Sequence, residues 1–136
     1  ARPTVQLPGS GGGADIASLA GRLIVIMPHD RRRLRERVDF VTSPGFGDGP
    51  GWRERMGLRG GGPFVLITTL GVFRFVDAHA VLVSVHPGVD VERVRAETGW
   101  DLAVASDVRE TEPPSADVLR IIREYDPSGF WTGRGG

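Results

Sequence analysis

The sequence predicts an α/β domain built on a sheet of mixed strand direction with flanking helices, and three observations predict it. Residues 22–27 (RLIVIM) are an almost unbroken apolar run of the kind that lies inside a parallel sheet. Helical and extended patterns alternate over the first part of the chain, as they do where helices cross over a sheet. Between residues 63 and 85, three β-rich runs follow one another with short turns between them, the pattern of an antiparallel meander.

Taken in order, residues 4–7 read as a short strand with a proline at either end. Residues 7–16 (LPGSGGGADI) read as a glycine-rich turn that opens a helix over residues 15–21, with Asp15 as its cap and Ile16, Leu19 and Ala20 on one face. The run at 22–27 is a strand buried on both faces and stopped by Pro28. Residues 29–37 are polar and arginine-rich, and residues 38–42 (VDFVT) alternate as a second strand before Ser43-Pro44-Gly45. Residues 44–63 form a glycine-rich loop in which only 52–58 can make a helical turn; loops of that length in compact domains are usually functional. Strands follow at 63–68, 72–76 and 80–85, with turns at Leu70-Gly71 and at 77–79. Asp90 caps a helix that carries Val91 and Val94 and ends at Gly99, and residues 102–104 can pair briefly. Ser115 caps the last helix, whose Val118, Ile121, Ile122 and Tyr125 form one stripe.

Composition narrows the function classes. At 136 residues, with 40% hydrophobic and 25% charged residues, the expectation is a single domain over 1–136. No stretch approaches the roughly 18 apolar residues that span a bilayer, and no signal-peptide pattern opens the chain, so no membrane association is expected. The absence of cysteine excludes disulfides and thiolate chemistry and makes the cytoplasm the expected location. All 17 basic residues are arginine and they balance 17 acids. Schiff-base and Walker lysines are therefore excluded, and the neutral balance argues against a nucleic-acid partner.

The glycine segment is the richest in chemistry. Gly9, Gly11, Gly12 and Gly13 can take positive φ and leave backbone amides open to a ligand, and amides at a helix start attract negative charge. A dinucleotide fingerprint can be traced through Gly9, Gly11 and Ala14 to Asp30, but residues 15–21 are too short for the crossover helix it needs. Ser10 fails as a nucleophile elbow because Pro8 stands where glycine is required. A carboxylate at Asp15 would repel a phosphate dianion yet tolerate a carbonyl oxygen that becomes negative only in a tetrahedral intermediate, which favours an oxyanion role.

Other polar residues give weaker signals. His29 follows the apolar strand, at the sheet edge where ligand sites of α/β folds collect, and reads either as a site residue or as a satisfied structural histidine. His79 falls in a turn, and His86 is placed to shape a loop. The histidine spacing fits no metal site. Arg31, Arg32, Arg33, Arg35 and Arg37 suit ligand phosphates or an acidic partner surface, or simply a solvated edge. Phe46, Trp52 and Met56 can cover an apolar part of a ligand or pack on a partner, and Trp100, Phe130 and Trp131 read as core or interface.

Four blocks appear in order: LPGSGGGADIASLAGR, VIMPHDRRRLRERVDFVTSPGF, GGGPFVLITTLGVFRF and VHPGVDVERVRAETGWDL. Together they resemble the C-terminal half of the β subunit of class I CoA-transferases, of the glutaconate type, and the related actinobacterial hydrolase of steroid-ring degradation. The resemblance covers most of residues 5–104. It implies a NagB/RpiA/CoA-transferase-like fold, an α subunit as partner, and an acyl-CoA thioester as substrate with no bound cofactor. In such transferases a glutamate attacks the thioester to give an anhydride and then a glutamyl-CoA thioester, from which CoA passes to a second acid. Their glycine segment, matched here by Gly11, Gly12, Gly13, Ala14 and Asp15, supplies a backbone amide to the oxyanion hole. The expected site is therefore the backbone of Gly11, Gly12 and Gly13, with Ser10, Ala14, Asp15 and His29 beside the CoA substrate.

The family's nucleophile sits in a Glu-Asn-Gly segment upstream, whereas this chain has no asparagine and all its glutamates, from Glu36 to Glu124, follow the glycine segment. The expectation is a CoA-transferase subunit inactive alone, set against two alternatives: a CoA-linked ring-cleaving hydrolase and a non-catalytic assembly subunit.

Overall fold

In the computed structural model, which describes residues 9–132, the chain runs α1 (Gly11–Leu19), β1 (Leu23–Met27), α2 (Trp52–Arg55), β2 (Pro63–Thr68), β3 (Gly71–Val76), β4 (His79–Val85), α3 (Val91–Ala96), β5 (Ala103–Glu110) and α4 (Ala116–Tyr125). The strand expected at 4–7 lies outside the described residues. The five strands form one sheet in sequence order, β1-β2-β3-β4-β5. β1 runs parallel to β2 and β5 parallel to β4, while β2, β3 and β4 are the antiparallel meander. The sheet is thus of mixed direction, as the sequence predicts.

One row of side chains crosses all five strands. Val25, Leu66, Phe73, Leu82 and Val104 are successive register partners, so they share a face. Phe73 and Leu82 are fully buried, and Leu34, Leu70, Leu102 and Val94 of α3 close over the row. Each such side chain contributes about 1.5–3 kcal/mol by leaving water. Asp90 caps α3 by accepting from Arg93 N at 2.7 Å. Gly99, just past α3, donates to Leu34 O at 2.8 Å, and a Cβ there would stand 2.3 Å from that oxygen, so only glycine allows the approach.

Several expectations are corrected. Among the described strands β1 lies at the sheet's edge, and it is not buried on both faces: Ile24 and Ile26, which point away from the core row, are 58% and 76% exposed. Residues 38–42 form no strand, and Val38, Phe40 and Val41 are exposed; alternation there meets no neighbouring strand to pair with. Helix α1 starts at Gly11, not at residue 15, and it buries Ala17 while Ile16 and Leu19 stay exposed. Asp15 is therefore the fifth helical residue and not the cap, which is Ser10. β5 reaches Glu110, well beyond the brief pairing expected at 102–104. Ser115 does cap α4, accepting from Val118 N at 3.3 Å, but its apolar stripe is left exposed.

The β3–β4 hairpin turns on Asp77 and Ala78 at φ 48° and 68°. Two left-handed residues match the right-handed twist of the strands, and the second carries a Cβ that this region disfavours. Ala78→Gly is expected to raise stability by about 1 kcal/mol. A higher urea midpoint with an unchanged slope is the readout, and a lower midpoint would sink the account.

Candidate functional site

The start of α1 offers unsatisfied backbone donors. Its first internal hydrogen bond runs from Ala14 N to Ser10 O at 2.9 Å, which leaves the amides of Gly11, Gly12 and Gly13 at the open end of the helix. Ser10 makes no side-chain capping bond, and the first turn carries no acidic residue. The positive pole of the helix dipole is therefore unopposed within that turn.

The glycines have no internal steric cause. None of Gly9, Gly11, Gly12 and Gly13 has a positive φ, contrary to the turn expected from sequence. A Cβ added at any of them would meet nothing within 4 Å. Each glycine in a helix costs up to about 1 kcal/mol relative to alanine. Three in succession weaken the first turn without serving the packing of the described residues. The Ser43 hydroxyl lies 3.4 Å from Gly13 O, which brings the loop after residue 42 beside the helix start.

The opposite end of α1 is held by a residue that the sequence did not single out. Arg53 of α2 is only 7% exposed. Its Nη2 donates to Ser18 O at 2.9 Å and Ala17 O at 3.3 Å, its Nη1 to Gly45 O at 2.8 Å, and its Nε to Gly60 O at 2.9 Å. Nothing in the WRER segment distinguishes Arg53 from Arg55, whose side chain is exposed and paired with Asp48. The flanking glycines are the available signal. A Cβ at Gly62 would stand 2.8 Å from Arg53 Cδ, and one at Gly60 would stand 2.0 Å from Ala20 O.

His29 adopts the structural of its two readings. The ring is buried, stacked on Phe73 at 5.9 Å between centroids, and bonded at both nitrogens. The Thr98 hydroxyl donates to Val94 O at 2.7 Å, so His29 Nε2 donates to Thr98 Oγ1 at 3.2 Å. Nδ1, the unprotonated nitrogen of the neutral ring, lies 3.0 Å from Thr68 Oγ1, whose one proton is shared between that nitrogen and Gly71 O at 3.1 Å, while the oxygen receives the Leu70 and Gly71 amides. His29 thereby ties the end of β1 to the β2–β3 turn and to α3, and no ring nitrogen remains for a CoA substrate. His86 braces the same turn: Nε2 donates to Thr68 O at 2.9 Å and Nδ1 accepts from the Thr111 hydroxyl at 3.1 Å. His79 opens β4 and is exposed.

The remaining candidates separate. Ser10, Gly11, Gly12, Gly13, Ala14 and Asp15 lie together on α1, whereas Arg31, Arg32, Arg33, Arg35 and Arg37 form an exposed stretch. Arg31 donates to Ala96 O at the end of α3, and Arg33 pairs with Asp30. Phe46 packs on Phe75, and Trp52 fills the space over Gly47, while Met56 stays exposed. Trp100 packs on the core, but Phe130 and Trp131 are exposed and touch edge to face, so neither belongs to the core. Among the described residues, no three His, Asp or Glu side chains gather as a metal site, and no helix is long and apolar enough to cross a membrane.

The model of the coenzyme A transferase family matches residues 2–97. A glutaconate CoA-transferase polypeptide of Acidaminococcus fermentans is 40% identical over 129 residues, an alignment that takes in 92% of this chain and 48% of that protein. The crystal structure of glutaconate CoA-transferase from the same organism matches with a TM-score of 0.81 over 95% of this chain and 50% of its own, at 38% identity. A 3-oxoadipate CoA-transferase polypeptide of Pseudomonas knackmussii is 36% identical over 92% of this chain and 49% of its own. The crystal structure of IpdAB from Rhodococcus jostii has a TM-score of 0.81 at 27% identity, over 99% of this chain and 55% of that one. The chain spans about half the length of the curated relatives it matches.

The buried histidine yields a test independent of function. Burial holds the His29 imidazole below its ordinary value of 6.5, against the opposing pull of Glu97. An unfolded chain takes up that proton near 6.5, the folded one only at lower pH, so this contribution to stability is complete above 6.5 and falls as pH drops toward the folded value. Urea midpoints measured from about pH 8 to pH 5 should decline on the acid side, and His29→Gln should flatten that decline. A slope unchanged in the variant would refute the assignment.

Proposed function

The chain belongs to the coenzyme A transferase family, and from that premise we propose that it is the C-terminal part of a β-type subunit that moves CoA between an acyl-CoA and a carboxylic acid in company with an α subunit. The observation that carries the reading is the set of open amides at Gly11, Gly12 and Gly13, kept free of side chains for no reason internal to the described residues. A carboxylate supplied elsewhere in the assembly attacks the thioester carbon. The carbonyl oxygen takes the negative charge and rests against the helix amides, and the charge returns as the C–S bond breaks and the CoA thiolate leaves. The thiolate then attacks the enzyme's carboxyl carbon in the resulting anhydride and expels the first acid as its carboxylate, leaving an enzyme-bound CoA thioester; the second acid attacks that thioester and the same two steps run in reverse, forming the new acyl-CoA and restoring the enzyme carboxylate.

Ser10 precedes those amides and Ala14 and Asp15 follow them along α1, and we assign these three residues to the surroundings of the CoA substrate. His29, with both ring nitrogens bonded to Thr68 and Thr98, has a structural role and does not contact the substrate. A cytoplasmic setting fits the cysteine-free sequence.

A second reading has its own observation. The IpdAB structure matches this fold as well as the glutaconate enzyme does, with the same TM-score. Under that reading, water supplies the nucleophile and a ring of a CoA-linked substrate is cleaved. Acyl-CoA followed by borohydride, read by mass spectrometry on the full-length complex, separates the two, because only a glutamyl-CoA thioester leaves a reduced glutamate. Hydrolysis without CoA exchange and without that mass change would favour the second.

The glycine role is tested by Gly12→Ala. A helical Cβ tilts toward the N-terminus, so the new methyl group enters the space in front of the amides. Stability is expected to rise by about 0.5–1 kcal/mol through helix propensity. Turnover by the assembled complex is expected to fall about a hundredfold. A stabilised complex with full activity would end the proposal.

A further inference from the structure

We propose that Arg53 is a positioning residue for the reaction, setting the amides of Gly11, Gly12 and Gly13 by holding the far end of their helix; this rests on the function proposed above. α1 is poorly equipped to hold itself. It is nine residues long, begins with three glycines, lacks a side-chain N-cap bond, has no basic residue in its last turn and buries only Ala17. Helices of that length are marginal without tertiary support.

Arg53 supplies what is missing. The Ala17 and Ser18 carbonyls are among the last four of α1, which have no partner inside the helix, and one guanidinium nitrogen satisfies both. Its charge lies at the negative pole of the helix dipole, while the amides stand at the positive pole. Among the described residues no carboxylate pairs with Arg53, so its charge is directed at carbonyl oxygens alone. The planar fork binds three segments at once: α1, the loop at Gly45 and the loop at Gly60. Rotation or sliding of α1 would have to break two of these bonds. The helix start is thereby fixed relative to the loop that brings Ser43 to Gly13.

An oxyanion donor acts by being in place before the charge appears, so misplacing it raises the barrier more than it weakens substrate binding. The full-length complex carrying Arg53→Lys tests this, because a lysine keeps the charge but loses the fork. Expected are amide hydrogen exchange about tenfold faster within α1 and unchanged in β2–β4, and kcat for acyl-CoA about a hundredfold lower with KM within about twofold. Unchanged exchange in α1, or equal acceleration across the sheet, would overturn the proposal. So would faster exchange in α1 with kcat retained in an active complex. If the wild-type complex neither transfers nor hydrolyses acyl-CoA, the function proposed above fails, and the exchange pattern still decides whether Arg53 holds the helix. Should Arg53→Lys not accumulate folded, Gly62→Ala presses on Arg53 Cδ and, at φ 74°, also strains the entry to β2, so exchange in α1 is read against that in β3 and β4. Faster exchange in α1 with β3 and β4 unchanged is expected there, and its absence would count against Arg53.

Discussion

A guanidinium buried among carbonyl oxygens is the constraint around which the N-terminal part of this structure is arranged. Burying a charge is costly unless each of its nitrogens finds a hydrogen-bond partner. Arg53 meets that requirement with backbone oxygens, which exist wherever a chain passes, and so the chain has to be brought close from several directions. Glycines make the close approach feasible: Gly60 against Ala20 O, Gly62 against Arg53 itself, and Gly61, whose amide bonds Gly21 O at 2.9 Å. The glycine-rich loop is therefore not slack chain. It is the wrapping of one side chain, and the turn from α1 into β1 is part of that wrapping.

The two glycine clusters have opposite causes. Those at 60 and 62 are dictated by atoms of this chain, and a Cβ there would collide with a neighbour. Those at 11–13 are dictated by nothing within 4 Å, although they lie in a helix where alanine is better. In sequence, both clusters look like flexible turns. Only the folded arrangement separates a glycine that makes room for the fold from one that leaves room for something else.

What was legible in the sequence follows the same physical divide. The meander was readable because strand type, turn residues and a buried row all agree at residues 63–85, and the Asp90 cap was readable because its bond is local. Residues 38–42 misled because alternation describes a strand's faces and says nothing about whether a partner exists. The burial expected for β1 and α1 failed on the faces turned away from the core row, since an apolar residue shows that a surface is to be covered but not by what. At the site, the glycine helix was visible as a motif, but its start was misplaced because helix propensity argues against glycine in a first turn. Arg53 was invisible because its role depends on contacts up to 36 residues away. His29 was visible as a residue and ambiguous in role until both ring nitrogens were accounted for.

The parallel pairing of β1 with β2 also sets an order of assembly. The antiparallel strands β2, β3 and β4 are joined by tight turns, and hairpins of this kind close in about 1–10 μs. β1 reaches its neighbour only after the whole of the intervening loop has been closed, which adds entropic cost and delay. During synthesis, α1 and β1 leave the ribosome before Arg53 and β2 exist to receive them. The segment that bears the amides is thus made before the residues that secure it, and in that interval Ile24 and Ile26 are apolar side chains that a chaperone can bind.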